Sequence, residues 1–393
     1  MKKNSAIAGA AFLMATSAIG PGFLTQTSKF TEDLLTSFGF VILISVLLDI
    51  GAQVNIWRII TVTGKRAQDI ANEFLPGLGI FLACLIGFGG LVFNIGNIGG
   101  TGLGFNAATG LDARLGAALS CVIALAIFWY KEAGRLVDHF VKWLGLIMIL
   151  FTIYIAFSSA PPLNEALYRT FWPEKIDLLK IITLVGGTVG GYISFAGAHR
   201  LLDAGISGKA SLPTVTTSAV RGILLTSFMR YILFLAALGV VWQGSVLSSE
   251  NPAASVFQQA AGQIGYRFFG IVMWCAAITS VIGASYTSIS FFKTLHPFIE
   301  HHHKILVSFF ILISTIIFMF MGNPVQLLIL AGAVNGMILP IALALLLMAT
   351  KSRKMMKDYR HPLWMKVLGW LVVVTVTWMG IITIINSIKQ LYS

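Results

Sequence analysis

The residues of this chain whose types and spacing could do chemistry are few, and most are neutral. Gly20-Pro21-Gly22-Phe23 interrupts an otherwise apolar stretch, with Ser17, Thr25 and Gln26 close by. Proline removes a backbone donor and clashes with the preceding turn, so a helix through this stretch breaks here. In hydrocarbon the freed N–H and C=O groups must face protein, water or a ligand, which makes the break a candidate binding place. A second interrupted stretch runs from Gly186 through Thr188, Gly190, Gly191, Tyr192, Ser194, Phe195, Gly197 and His199 to Arg200, too rich in glycine for an undisturbed helix. Asn94 and Asn97 are three apart and share a helix face, so they offer either two amides to one cavity or hydrogen bonds between helices. Asp49, His199, Arg200 and Arg230 are ionisable groups in apolar surroundings, where each costs about 2.5–3.5 kcal/mol at a helix centre. His199 is a candidate proton acceptor. Asp49 and Arg230 read as a structural pair or as part of a proton path. Arg200 reads as a loop anchor paired with Asp203 or as a fork for a carboxylate.

The elements that must position these groups are membrane helices. With 57% hydrophobic and 11% charged residues and a mean hydropathy of +0.86, the chain is a polytopic membrane protein rather than a soluble globule. Apolar stretches long enough to cross about 30 Å of hydrocarbon predict eleven spans, at 6–28, 35–59, 75–98, 113–130, 138–159, 179–200, 220–243, 264–292, 304–322, 325–349 and 363–387. Lys and Arg gather in the loops after the even-numbered spans and at Lys2-Lys3, while the opposite loops are mixed or acidic. This places the N-terminus in the cytoplasm and the C-terminus outside, in a bacterial-type inner membrane. The formal charge of +12 then faces anionic lipid and requires no nucleic acid. Cys84, Cys121 and Cys275 read as packing residues, as do Gly96, Gly100 and Gly104 in the third span. The run His301-His302-His303 reads as a solvated stretch between spans. No HExxH, GxSxG or Walker motif is present, so an enzyme is not expected, nor a cofactor or an obligate protein partner.

Spans one and six, both interrupted, are each first in a set of five. An odd number of spans per set inverts the second copy in the membrane, the arrangement of transporters that bind substrate where two broken helices meet. The expected organisation is a single transmembrane domain over 1–393, with a first repeat at 1–159, an inverted second repeat at 179–349 and an extra span at 363–387.

Three further motifs carry a resemblance. Val62-Thr63-Gly64-Lys65-Arg66-Ala67-Gln68-Asp69 after span two, Gly134-Arg135-Leu136 at the start of span five and Leu339-Pro340 in span ten resemble the natural resistance-associated macrophage protein (NRAMP) superfamily. That resemblance implies an all-α leucine-transporter fold and, for typical members, transition-metal transport with protons. Counted back from Thr63-Gly64, the family's Asp-Pro-Gly-Asn signature falls on Gly20 to Phe23, so its carboxylate and amide are replaced here. Its acidic pair in span three falls on Asn94 and Asn97, and its Met-Pro-His stretch falls within Phe195 to His199, where there is no methionine or proline. A dication needs hard oxygen ligands and compensating charge. The expected substrate is therefore a small organic solute, a carboxylate or amino-acid derivative, bound by Gly20, Pro21, Gly22, Phe23, Gln26, Asn94, Asn97, Tyr192, Ser194, Phe195 and Gly197. The Gly-Pro-Gly-Phe and Gly-Ala-His-Arg pattern resembles an NRAMP branch associated with 5-oxoproline utilisation, and that resemblance implies this compound as the specific solute. No metal ligands are expected. The candidates for coupling to H⁺ or Na⁺ are His199, Asp49 and Arg230. A divalent-cation transporter with an altered site is the competing expectation.

Overall fold

The computed structural model describes residues 19–392. Of the predicted first span only the part from Ile19 onward falls within them, and Ser17 and the Lys2-Lys3 terminus lie outside. A helix occupies each predicted stretch: Pro21–Leu34, Phe38–Thr63, Leu78–Thr109, Ala113–Trp129, Lys131–Ser158, the pair Leu178–Thr188 and Ile193–Asp203, Leu212–Trp242, Pro252–Ser290, His303–Met321, Pro324–Ala349 and Leu363–Tyr392. There is no strand among the described residues.

By length and apolarity, 8 helical stretches qualify as membrane crossings, or 9 if the pair Gly145–Ser158 and Leu163–Phe171, bent by 105°, is one span. With the bent pair counted as one span, two further features account for the remaining shortfall against eleven. Ala113–Trp129 has 17 residues and is short for a crossing. Spans one and two run together over 43 residues through a single 3₁₀ turn at Leu35–Ser37, where Leu35 takes φ 50°.

Span three lies at the centre, with its most extensive contacts to span eight and then to span ten. Its glycine column explains how. A Cβ at Gly96 would press on Leu328, one at Gly100 on the Pro21 ring, and one at Gly104 on the Trp274 backbone. These glycines seat spans ten, one and eight respectively, which is the packing use of small residues. Span six docks on span ten in the same way. Gly186 sits against Gly332 and Gly336, and Gly190 against the Asn335 carbonyl.

Span eleven is fastened on the side that carries the basic loops. His361, just before this helix, donates from Nε2 to Asn55 Oδ1 at 2.7 Å, and Asn55 Nδ2 donates to the Gly51 and Met365 carbonyls. Arg58 donates to the Tyr359 hydroxyl, which lies 3.4 Å from His361 Nδ1. Burial, with Arg58 and Lys366 nearby, pushes the His361 pKa down to about 4. A depressed histidine pKa means that the fold holds the neutral ring. The resulting stability is complete above the unfolded value of about 6.5 and is lost as pH falls through the folded value. The melting temperature of the purified protein should therefore drop between about pH 6.5 and pH 4. In His361→Gln the drop should be shallower, as measured by a pH series of thermal melts against wild type.

Candidate functional site

The break in span one begins at Gly20, whose backbone is extended (φ −113°, ψ −170°), and the helix starts with Pro21 at its first position. Proline suits that position because its missing N–H would lack a helical partner anyway. A Cβ at Gly20 would stand 3.1 Å from Ser280 Oγ and 4.0 Å from Asn97 Oδ1, so the break opens toward spans eight and three.

Span six stops at Thr188 and resumes at Ile193. Gly191 turns the chain at φ 52°, with the Asn335 side chain packed where a Cβ would be. The Val189 carbonyl, freed in the break, is met from inside the protein by Ser194 Oγ, which donates to it at 2.7 Å. Trp57 Nε1 donates to Ser194 O at 2.9 Å and so anchors the start of the second half to span two. The two broken helices meet at Gln26, which lies against Gly187. Its Nε2 donates to Leu328 O at 2.9 Å, and its Oε1 has no partner.

Unpartnered polar atoms collect around this meeting point. Asn97 is fully buried and neither its Oδ1 nor its Nδ2 is hydrogen-bonded. The Tyr192 side chain lies beside it, with its ring edge-on to Phe93 at 5.4 Å. Thr25 Oγ1 and Ser28 Oγ are also buried without partners. Phe23 is 2% exposed, and the Arg230 guanidinium carbon stands 4.4 Å from its ring centroid. Arg230, itself 2% exposed, donates from Nη1 to Thr188 Oγ1 at 2.9 Å, so it touches both breaks at once. Asp49 approaches the same Thr188 hydroxyl from span two, and its Oδ1 is unpartnered.

Other predicted residues are placed elsewhere or already engaged. Asn94 Nδ2 donates to Ser285 Oγ and Ser314 Oγ, each at 3.0 Å, so it joins spans three, eight and nine. The Ser194 hydroxyl is committed to the break itself. Gly197 makes room for the Trp57 indole. Phe195 is packed edge-on to Phe291 at 5.3 Å, and His199 faces Phe291 at 5.0 Å. His199 Nε2 accepts the Ala67 N–H at 3.3 Å and so caps the loop helix Ala67–Phe74. The expected Arg200–Asp203 pair is corrected: Arg200 is exposed, and Asp203 takes Arg66 at 2.7 Å instead. His302 Nδ1 lies 3.0 Å from Phe298 O with the His301 ring 5.1 Å from its own, while the His303 ring turns away to lie 4.9 Å from Tyr286. Among the described residues no three His, Cys, Asp or Glu side chains are grouped to hold a metal.

Ser280, Asn335 and Trp57 were not singled out in the sequence. A lone asparagine in an apolar span is the signal that marks Asn335. Serine and tryptophan are too common in membrane helices to flag the other two.

The family model described as natural resistance-associated macrophage protein-like matches residues 11–386. The chain belongs to this family. It is 57% identical over 389 residues to the uncharacterized membrane protein YcsG of Bacillus subtilis (strain 168), a match that covers 99% of this chain and 96% of that protein. Its structure is similar to that of a mutant of the Eremococcus coleocola manganese transporter, with TM-score 0.73, 15% identity and coverage of 99% of this chain and 88% of the other. It is also similar to MhsT in complex with L-phenylalanine, with TM-score 0.64, 16% identity and coverage of 96% and 97%. The fold is thus the leucine-transporter fold, and this NRAMP-family chain is an integral membrane transporter.

The two asparagines separate experimentally. Asn94→Leu removes both interhelical hydrogen bonds, leaving Ser285 and Ser314 only their donations to Val281 O and Phe310 O, and should destabilise the protein by about 1–3 kcal/mol. Asn97→Leu removes amide atoms that have no partner and should leave the melting temperature unchanged or higher. Thermal unfolding of both variants in the same detergent checks this order.

Proposed function

We propose that this NRAMP-family member moves a small organic solute, a carboxylate or amino-acid derivative, by alternating access through a site at the breaks of spans one and six. The observation that carries the reading is the chemistry gathered there. Amides, hydroxyls, an aromatic ring and a guanidinium stand where the family signature supplies a carboxylate and an amide for metal. A cation fixed 4.4 Å from the Phe23 ring repels a dication and attracts an anion. The site is apolar with a few placed polar groups, as small-molecule sites usually are. MhsT, with L-phenylalanine bound, indicates that the fold accommodates an amino acid. The manganese transporter of Eremococcus coleocola keeps divalent metal as the second reading.

The named candidate solute is 5-oxoproline. Of the three coupling candidates, Asp49 is the one acidic group near the breaks, whereas His199 lies toward the basic loops. We place the protein in a bacterial-type inner membrane with a cytoplasmic N-terminus and an external C-terminus, and read 1–159 and 179–349 as its inverted repeats.

Uptake into proteoliposomes tests the reading. Radiolabelled 5-oxoproline should accumulate and Mn²⁺ should not, with the pH-gradient arm reporting whether protons are coupled. Gly20→Asp, which crowds Ser280 and Asn97, should abolish uptake. Phe23→Ala should weaken apparent affinity roughly 5- to 30-fold, the equivalent of about 1–2 kcal/mol. Uptake of Mn²⁺ with none of the solute would overturn the proposal in favour of metal.

A further inference from the structure

We infer that Arg230 is the residue that binds the anionic group of the transported solute. This rests on the organic-solute reading and deepens it by naming the group recognised and its partner. Guanidinium nitrogens buried in a protein interior are normally all hydrogen-bonded, because an unpaired buried donor on a charged group is strongly unfavourable. In Arg230 only Nη1 is engaged, by Thr188 at 2.9 Å, while Nε and Nη2 are fully enclosed and have no partner. The nitrogens left over are not a random pair. Nε–H and one N–H of Nη2 point from the same edge of the planar group, the edge that fits both oxygens of a carboxylate.

The neighbours hold that edge in place without occupying it. The Phe23 ring lies against the guanidinium with its centroid 4.4 Å from Cζ, fixing the plane, and Thr188 at the end of the Leu178–Thr188 helix fixes the opposite corner. Asp49 approaches the same Thr188 hydroxyl but lies beyond ion-pair distance of Arg230, and its Oδ1 is itself unpartnered. The free edge is therefore met by no group among the described residues and is open to a ligand. Phe23 and Thr188 come from the two broken helices, so an anion held here reports directly on how the two breaks are arranged.

Matched pairs of probes test the assignment on the full chain in nanodiscs. Thermal stabilisation is measured with 5-oxoproline and its carboxamide, benzoate and benzamide, L-phenylalanine and L-phenylalaninamide, and Mn²⁺. At least one carboxylate should stabilise the wild type, and its amide should bind at least about 30-fold more weakly, as expected when one partner of a buried charged pair is lost. Arg230→Gln should remove that preference, and Arg230→Lys should recover part of it. Equal binding of a carboxylate and its amide by wild type overturns the role of Arg230 while leaving the organic-solute reading standing. Unchanged preference in Arg230→Gln does the same. Stabilisation by Mn²⁺ alone, or by none of the probes, overturns the role as well. The wild-type comparison needs no variant, so a poorly folding Arg230→Gln does not blunt the test.

Discussion

A peptide group freed at mid-depth in a membrane has no water to turn to, and the architecture of this protein follows from where those groups are satisfied. In span six the answer is internal. The freed Val189 carbonyl takes the Ser194 hydroxyl, Trp57 anchors the resumed helix at the Ser194 carbonyl, and the turn before it is possible only because Gly191 adopts a positive φ. The turn must also sit flush against span ten, which requires Gly186 and Gly190 to face Gly332, Asn335 and Gly336 with almost no side chain between. Once these contacts are made, Thr188 and Tyr192 are fixed at the two lips of the break. Their positions are a consequence of backbone satisfaction.

That arrangement accounts for the second unusual feature, a cation and an acid buried together at the same depth. Three things make Arg230 tolerable there. Thr188 accepts one of its hydrogen bonds, the negative end of the Leu178–Thr188 helix dipole is adjacent, and the electron-rich face of Phe23 covers the plane. Asp49 approaches the same hydroxyl from the other side. The result is a strongly polarised centre. A metal-transporting relative needs net negative charge at its break. In this chain Gly20 and Phe23 supply none, and the local field is organised around a fixed guanidinium.

The elements of the fold were legible because proline and glycine act locally. Gly20-Pro21 breaks a helix whatever surrounds it, and the glycines of span six declare that something packs closely. The side chains were less legible, for a geometric reason. Residues three apart on a helix differ by about 60° in direction, enough for Asn94 to meet Ser285 and Ser314 while Asn97 points at Gly20. The sequence shows a shared face and cannot divide it. Arg200 and Asp203 illustrate the same limit. Their spacing suits a local pair, but Arg66, 137 positions away in the chain, reaches the acid first. His199 likewise finds its partner in the loop helix that starts at Ala67, which no spacing rule connects to span six.

The two ends of span six are held by contacts of different strength. At its first half, Lys180 bridges Asp33 at 3.3 Å and Asp177 at 2.7 Å, and Asp33 also pairs with Lys29, all partly exposed. Such pairs contribute about 0–1 kcal/mol each and are screened by salt. Of these, the Lys180–Asp33 pair ties the described half of span one to the first half of span six. At the second half the contacts are buried: His199 on Ala67, Phe195 and His199 on Phe291, and Trp57 against Gly197. Opening that end exposes aromatic surface and breaks a helix cap, so it needs a larger compensating interaction than ion pairs provide. The centre between the two ends is where such an interaction can be made, since a ligand that completes the polar groups around Gln26 and Asn97 binds one arrangement of the broken helices better than another. A ligand shifts a conformational equilibrium only by that difference in affinity. The unpartnered atoms at the breaks are therefore the groups through which a ligand held there would act on the weaker and the stronger end.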